Sequence, residues 1–481
     1  MQKRFLTNIG LLLLLNLLIK PFWIFGIDRT VQNIVGAEAY GFYFSLLNVS
    51  FLFNIFLDAG ITNFNNRNIA QNKQLLNKHF SSIVIMKFLL SVVYLIITLI
   101  FAYAVSYTKQ QIFMLLILCG NQFLASFVLY LRSNITGLQL FRTDSLLSVL
   151  DRLLMIGICS LLIWGNITRQ TFRIEWFVYA QTASYLLTFI AAASIVIYKS
   201  GFRRVRWHVP FFLMIFKKSL PFALLILLMM FYYRVDGIML ERLLGPHDAG
   251  IYAAAFRLLD AAVMMAYLFP VILLPTFSLM LKTKENVVGL FRLSFSAIML
   301  FAVSFGFGAF FYKHDIMNLL YIDNVVFSAP VFGVLMICFV FIAAGNIFST
   351  LLTANGNLKY LNILALSGML INIALNFILI PAMGALGSAY ASLVTQTLMC
   401  LMQLFFVVKI FKFKMNYTFL ISFFSFVFIT LFLAYFSQWL PFSWPIRLSL
   451  MLLFSISTAF LLRIINVKAL LKEFRLKSSY H

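Results

Sequence analysis

The sequence predicts an all-α integral membrane protein with about fourteen transmembrane helices. Three observations lead there. Hydrophobic residues make up 63% of the 481 and charged residues only 11%, a balance foreign to soluble domains. Apolar stretches of about 20 residues, enough to cross roughly 30 Å of hydrocarbon as helix, recur from one end to the other. These stretches are continuous runs of Leu, Ile and Phe, whereas a spanning barrel needs short segments of alternating polarity.

The spans are expected at approximately 6–26, 40–64, 81–105, 111–131, 146–164, 174–198, 219–240, 249–275, 291–312, 328–354, 360–381, 387–408, 418–437 and 446–466. The first follows only Lys3 and Arg4 and lacks a small-residue cleavage site, so it reads as a retained helix and not a cleaved signal. Pro21 within it frees a backbone carbonyl beside Lys20 and is expected to bend it. Span 2 runs into Leu57-Asp58-Ala59-Gly60, with Arg67 beyond. Short turns near 106–110 and 382–386 separate spans 3 from 4 and 11 from 12. Asp151-Arg152 is placed at the interface where span 5 opens, a structural position. Pro221 is read as a first-turn proline of span 7, and Pro270 and Pro275 punctuate the end of span 8. No connection exceeds about 20 residues, too short for a sizeable soluble domain.

One short pattern repeats. Gly36-Ala-Glu-Ala-Tyr-Gly41-Phe-Tyr43 returns as Gly245-Pro-His-Asp-Ala-Gly250-Ile-Tyr252. Both copies read G-x4-G-x-Y, lie between long apolar stretches and follow an aspartate, Asp28 or Asp236. The chain reads as a duplicated membrane unit, a plan on which transporters place a substrate site where the halves meet.

Charge sets the orientation. With the N-terminus in the cytoplasm, most of the 37 Lys and Arg residues fall at cytoplasmic helix ends. The opposite side keeps Arg29, Lys109, Arg169, Arg173, Arg242, Lys313 and Arg447. That is the positive-inside bias, and it puts both termini in the cytoplasm. The net charge of +23 then answers anionic lipid and calls for no nucleic acid. Cys119, Cys159, Cys338 and Cys400 have no paired spacing and read as small core residues. The five histidines sit at loops or termini, so no metal or other cofactor is expected. No Gly-rich phosphate loop opens a soluble helix, which leaves an ion gradient, the membrane potential or the substrate gradient as energy source.

Four basic residues remain inside spans: Lys20, Lys87, Arg234 and Arg257. A charge at mid-bilayer costs about 2.5–3.5 kcal/mol even on lenient scales, so it normally meets a partner or a water-filled cavity. From the helical rise, Lys20 and Arg234 lie about 20 Å from the cytoplasmic ends of their spans, and Arg257 about 13 Å from the other side. Lys87, about 9 Å in, is expected to snorkel to the interface. Two readings stand for the deeper cations. In one, Arg257 pairs with Asp260 on its own helix face and Arg234 pairs with Asp236 or snorkels. In the other, the cations form a pocket at the repeat interface for an anionic headgroup such as diphosphate, which guanidinium groups match in bidentate fashion. Asp58 reads as a helix-end cap or gate. Asp236 and Asp260 read as counter-ions, or as proton or sodium sites that couple transport to a gradient.

The stretch Asn372-Ile-Ala-Leu-Asn376-Phe-Ile-Leu-Ile-Pro381-Ala-Met-Gly384-Ala-Leu-Gly387-Ser-Ala389 resembles the N-x3-N-x2-L-I-P-x2-G-x2-G-x-A signature of the multidrug/oligosaccharidyl-lipid/polysaccharide exporter superfamily. Arg29 before Gly36, Asp58-Ala-Gly60 with Arg67, and Leu220-Pro221 through Asp236 to Tyr252 resemble its polysaccharide-transporter branch. The resemblance implies a flippase that moves undecaprenyl-diphosphate-linked oligosaccharide across the bacterial inner membrane by alternating access, and no enzyme. It implies two six-helix bundles, residues 1–200 and 201–410, with a cavity lined by spans 1, 2, 7 and 8. Residues 411–481 hold two extra helices, which brace the lipid tail, and a basic tail. An even number of spans per repeat directs the pseudo-two-fold along the membrane normal. The candidate headgroup ligands are Lys20, Arg234, Arg257 and Arg29. A lipid II-type flippase and a drug/cation antiporter share the fold, though the antiporter favours an acidic and aromatic pocket. A membrane-embedded glycosyltransferase or polymerase needs a sizeable extracytoplasmic loop with catalytic groups. The longest, near 313–327, offers only Lys313, His314, Asp315 and Asp323.

Overall fold

The structure, a computed structural model, describes residues 15–16, 18–58, 60–62, 65, 69, 74–165, 170–200, 209–413, 416–462 and 464, with the side chains of 74–79, 200 and 209–219 left aside. The start of span 1, Ala59, Arg67, Arg169 and the basic tail lie outside the described residues. The chain is all helix, with no strand among the described residues. The helices are α1 (Arg29–Leu52), α2 (Gln74–Ala104), α3 (Lys109–Gly137), α4 (Phe141–Trp164), α5 (Ile174–Ser200), α6 (Val209–Leu243) and α7 (Pro246–Ala266). They continue with α8 (Leu268–Lys282), α9 (Val288–Phe311), α10 (Lys313–Leu320), α11 (Val325–Ala354), α12 (Leu358–Phe411), α13 (Tyr417–Ser437) and α14 (Trp444–Leu461). Among the described residues, eleven helices are long and apolar enough to cross a membrane.

Where helices end or bend follows from glycine and proline. The 54-residue α12 is interrupted at Gly384, whose φ of 60° and ψ of −138° are not helical. Its two limbs lie antiparallel, since Tyr360 meets Phe406 with ring centroids 4.9 Å apart and Gly368 lies against Met399. These limbs are the expected spans 11 and 12. Gly36, with φ 80° and ψ 169°, does the same to the chain around α1. Tyr40 OH reaches back to Asp28 Oδ2 at 2.8 Å, and Trp23 and Tyr43 both pack on Phe177. Just past Pro21 the chain widens into a π-helical stretch, Trp23–Asp28, a local loosening of the kind found where a helix is strained. Between α7 and α8 the helix breaks at Tyr267, three residues before Pro270, because a proline ring clashes with the carbonyl four residues earlier. Pro221 departs from expectation. It lies inside α6, which begins at Val209, and is no first-turn proline.

The chain forms two compact units, Met1–Gly250 and Ile251–His481. In the first, α1 packs along α6 and α3, while α5 packs on α3 and α4. Phe80, Ile83, Met86, Tyr130, Ile135, Leu147 and Val196 form an apolar core there. In the second, α11 is central, touching α8, α9, α10 and α12. The α13–α14 pair rests on α9, held by Ser304 Oγ to Ser455 Oγ at 2.5 Å and Tyr312 OH to Ser437 Oγ at 2.7 Å. Fully apolar helices have no hydrophobic drive to associate in lipid, so buried hydroxyl pairs of this kind specify which faces meet.

Candidate functional site

The two G-x4-G-x-Y copies are built alike. Their first glycines, Gly36 and Gly245, both hold positive φ, which L side chains resist. Their second glycines meet. A β-carbon on Gly41 runs into Pro246 O and Gly250 N, and one on Gly250 runs into Ala37 O. Gln32 Nε2 donates to Gly250 O at 3.0 Å. Further along the same seam, a β-carbon on Gly237 comes within 2.6 Å of Asn48 Nδ2 and of a Phe44 ring carbon. Backbones approach this closely only through residues without side chains.

Beside the glycines sits a polar latch. The buried Glu241 carboxylate accepts from Gln111 Nε2 at 2.8 Å and Ser45 Oγ at 3.3 Å, and pairs with Arg242. Arg242 lies over the Tyr107 ring at 4.5 Å and donates to Val105 O at 3.3 Å. Burial first, and the Glu241 charge second, push the Tyr107 phenol up, so it stays neutral. Nothing in the sequence reading pointed to Glu241, though an acid within an apolar span is itself the signal.

Arg234 lies a few turns along α6 from this latch. Its Nη1 approaches Asn48 Oδ1 at 3.5 Å, and its guanidinium lies 5.2 Å from the ring centroids of Phe51 and Tyr233. Aromatic faces hold a guanidinium plane while leaving its edge for other partners. Asp236, two residues on and so on another face of α6, is buried.

A second basic cluster surrounds Lys20. The residue is half-buried and within electrostatic reach of Arg152, Asp151 and Arg132. Arg152 lies over Trp23 at 5.5 Å and Tyr185 at 6.0 Å, with Asp151 at 3.6 Å. Arg132 pairs with Asp144 at 2.8 Å. The structural reading of Asp151-Arg152 at an interface is corrected here. Span 5 begins earlier than expected, at Phe141, which sets Arg152 about 16 Å along the helix. Arg29 is half-buried at the start of α1, next to the buried Asp28.

Lys87 also departs from expectation. Instead of snorkelling it is fully buried, and its ammonium meets Asp58 Oδ1 at 3.0 Å, Leu57 O at 3.1 Å and Ser126 Oγ at 2.9 Å. The same Asp58 accepts from Thr62, so it both ends a helical stretch and neutralises Lys87. In the second unit, Arg257 Nη1 lies 3.9 Å from Asp260 Oδ2 on the next turn. Among the described residues no group of three His, Cys, Asp or Glu is arranged to hold a metal. The clusters around Lys20 and Arg234 are suited to anions: half-buried cations, oriented by aromatic rings, in surroundings of low dielectric.

Comparison with solved structures finds the fold. A lipid II flippase MurJ in an inward closed conformation superposes with a TM-score of 0.72 at 15% identity, covering 94% of this chain and 97% of that one. An inward-facing multidrug resistance transporter of the MATE family and MOP superfamily matches with a TM-score of 0.58 at 15% identity, over 79% of this chain and 93% of the other. A Vibrio cholerae MATE transporter, VcmN, gives 0.57 at 13% identity, over 84% and 98%. Comparison with curated protein sequences finds no match. The description "Polysaccharide biosynthesis protein" belongs to the family model that matches residues 5–281. The membrane-length apolar helices and this shared fold mark a multi-pass membrane protein. With more than half of its length matched, the chain belongs to the polysaccharide biosynthesis protein family, as the motif resemblance anticipated.

Proposed function

We propose that this protein flips an undecaprenyl-diphosphate-linked oligosaccharide repeat unit across the bacterial inner membrane by alternating access. The observation that carries this reading is the polysaccharide family match over residues 5–281, on a chain whose fold follows a lipid II flippase over 94% of its length. Moving a sugar diphosphate through hydrocarbon is prohibitive, so the chain supplies a polar, cationic route. Lys20, Arg29, Arg234 and Arg257 are the candidate ligands of the diphosphate, and Arg152 joins them beside Lys20.

Both termini lie in the cytoplasm in this reading, and the headgroup enters from the cytoplasmic leaflet. In this reading Arg257, whose Nη1 lies 3.9 Å from Asp260 Oδ2, exchanges that carboxylate for a phosphate, which a guanidinium also matches in bidentate fashion. Asp260, once released, takes a proton or sodium ion and couples the cycle to a gradient. Asp236 is a second candidate for that role. Asp58 is held by Lys87 and serves as its counter-ion.

The test is a strain that needs this transporter for its surface polysaccharide. Arg234→Ala and Arg257→Ala are each expected to lower output about tenfold, the effect of losing some 1.4 kcal/mol of binding, with lipid-linked repeat units accumulating. Arg→Lys at either site keeps part of the function. Unchanged output at equal protein level removes the anion-pocket assignment. The higher TM-score against the lipid II flippase than against drug transporters favours a second reading, a lipid II-type flippase. That reading requires rescue of a strain depleted of its own lipid II flippase, and the polysaccharide reading requires no rescue.

A further inference from the structure

We propose that a cavity within the second unit binds an anionic glycerophospholipid, with one acyl chain among phenylalanines and the phosphate on Arg292. This site is separate from the proposed transport route and does not depend on which substrate is carried. The cavity, of about 230 Å³, lies between the ends of α9, α11, α12 and α13. Its walls include Phe291, Phe295, Phe348, Phe419 and Phe423, and Arg292 is at its rim.

Topology puts all four helix ends on one face of the membrane. α9 and α13 begin there, while α11 and the second limb of α12 end there. Most of the described Lys and Arg residues of the unit gather at the same face with Arg292: Lys282 at the end of α8, Lys284 in the turn after it, Lys359 at the start of α12, and Lys409 and Lys412 at its end. A face with this charge meets the negative headgroups of the adjoining leaflet. The deepest wall residues on α13, Phe423 and Phe424, lie about 10 Å below its first turn. That is the depth of upper acyl chain beneath a headgroup.

The walls are preformed. Phe348 stacks on Phe291 and Phe295 with centroids 5.9 and 5.6 Å apart, and Phe295 meets Phe423 at 5.4 Å. Arg292 lies over the Phe419 ring at 5.3 Å, which orients its planar fork. Among the described residues that line the cavity none is acidic. A half-open apolar slot at a basic face, with a guanidinium at its rim, is complementary to a phosphodiester on an acyl chain. The slot is too small for the many isoprene units of a carrier lipid. Once filled, it joins α13 to α9 and α11 where the α13–α14 pair departs from them.

The experiment uses the full chain purified in mild detergent, with retained lipid read by native mass spectrometry. The probes are dioleoylphosphatidylglycerol, dioleoylphosphatidylcholine and undecaprenyl monophosphate. The wild type is expected to retain phosphatidylglycerol about fivefold over phosphatidylcholine, the scale of one charge-assisted contact. Arg292→Gln brings the two to parity, and Arg292→Lys keeps the preference. Phe295→Trp, which fills the slot and leaves the charge in place, lowers retention of both and carries the test alone should Arg292→Gln fail to purify as a monodisperse species. Equal retention of the two phospholipids by wild type overturns the proposal, as does Arg292→Gln or Phe295→Trp behaving as wild type. Displacement of phosphatidylglycerol by undecaprenyl monophosphate also overturns it, by assigning the slot to the carrier.

Discussion

Lys87 shows what depth along a helix can and cannot tell. Its position near one end of the apolar run 81–105 is plain from the sequence, and a long side chain so placed has the choice of reaching out to water or inward. The choice depends on Asp58, which is remote in sequence and comes within 3.0 Å only in the folded unit. The ammonium has three donors, and the site offers three acceptors: Asp58, Leu57 O and Ser126. The Phe127 and Tyr130 rings, 5.8 and 5.9 Å away, close the remaining sides. Breaking the pair leaves the half-buried Asp58 charged without its counter-ion, at a cost below the ~3–5 kcal/mol of a fully buried pair. Lys87→Met is therefore expected to lower thermal stability in detergent, and the double variant Lys87→Met/Asp58→Asn to recover much of the loss. Size-exclusion profiles after a temperature ramp provide the readout. A double variant as unstable as the single would show that packing, and not the pair, holds Lys87 in place. Arg152 lies deeper than its apolar run indicates for a different reason: α4 starts ahead of that run, with Phe141-Arg142-Thr143-Asp144, and polar residues in a first turn are ordinary.

At the scale of elements, two hairpins depend on single glycines, and both lie in patterns readable from the sequence. The Asn372–Asn376 pattern marks a clasp. Asn376 Nδ2 donates to Asn372 Oδ1 at 3.1 Å, and Ser388 Oγ donates across the Gly384 turn to Asn376 Oδ1 at 2.8 Å. Gly387 adds close approach, since a β-carbon there runs into Leu379 O. The Gly36 turn has the equivalent brace in Tyr40 to Asp28. Gly36→Ala and Gly384→Ala put an L residue where only glycine sits without strain, a cost of about 1–3 kcal/mol each. Gly120→Ala and Gly157→Ala are the controls, since a β-carbon at either meets nothing within 4 Å and mid-helix alanine is favoured over glycine by up to ~1 kcal/mol. Melting temperatures should fall for the first pair and hold or rise for the second. Equal behaviour would mean the turns are not glycine-dependent. The repeat itself was legible because G-x4-G-x-Y keeps its spacing in both copies. That the second glycines touch each other was not, because spacing along a chain carries no information about which face of a helix finds which neighbour.

At the scale of the whole molecule, the proposed alternating access requires that a tied end of the protein come apart, and the contacts of the first unit are the candidates for that tie. The Gly41–Gly250 approach, the Gln32 bond to Gly250 O and the Glu241 latch all lie at the same end of α1 and α6. Dispersion at a glycine seam is individually weak and lost steeply with separation. Hydrogen bonds to a buried carboxylate are stronger but exchange for water once it enters. Such a contact is therefore stable when dry and easily released when wetted, which suits a gate. Once the four native cysteines are replaced by alanine, introduced thiols are labelled selectively. Ser45 Oγ and Glu241 Oε2 stand 3.3 Å apart, within reach of a short bis-methanethiosulfonate reagent, cleavable by a reducing thiol, when both positions carry cysteine. Joining Ser45→Cys to Glu241→Cys is expected to stop lipid-linked sugar translocation in proteoliposomes. Cleaving the linker should restore the rate of the unlinked double variant. Translocation that continues with the link intact would place the moving end elsewhere and remove this seam from the transport cycle.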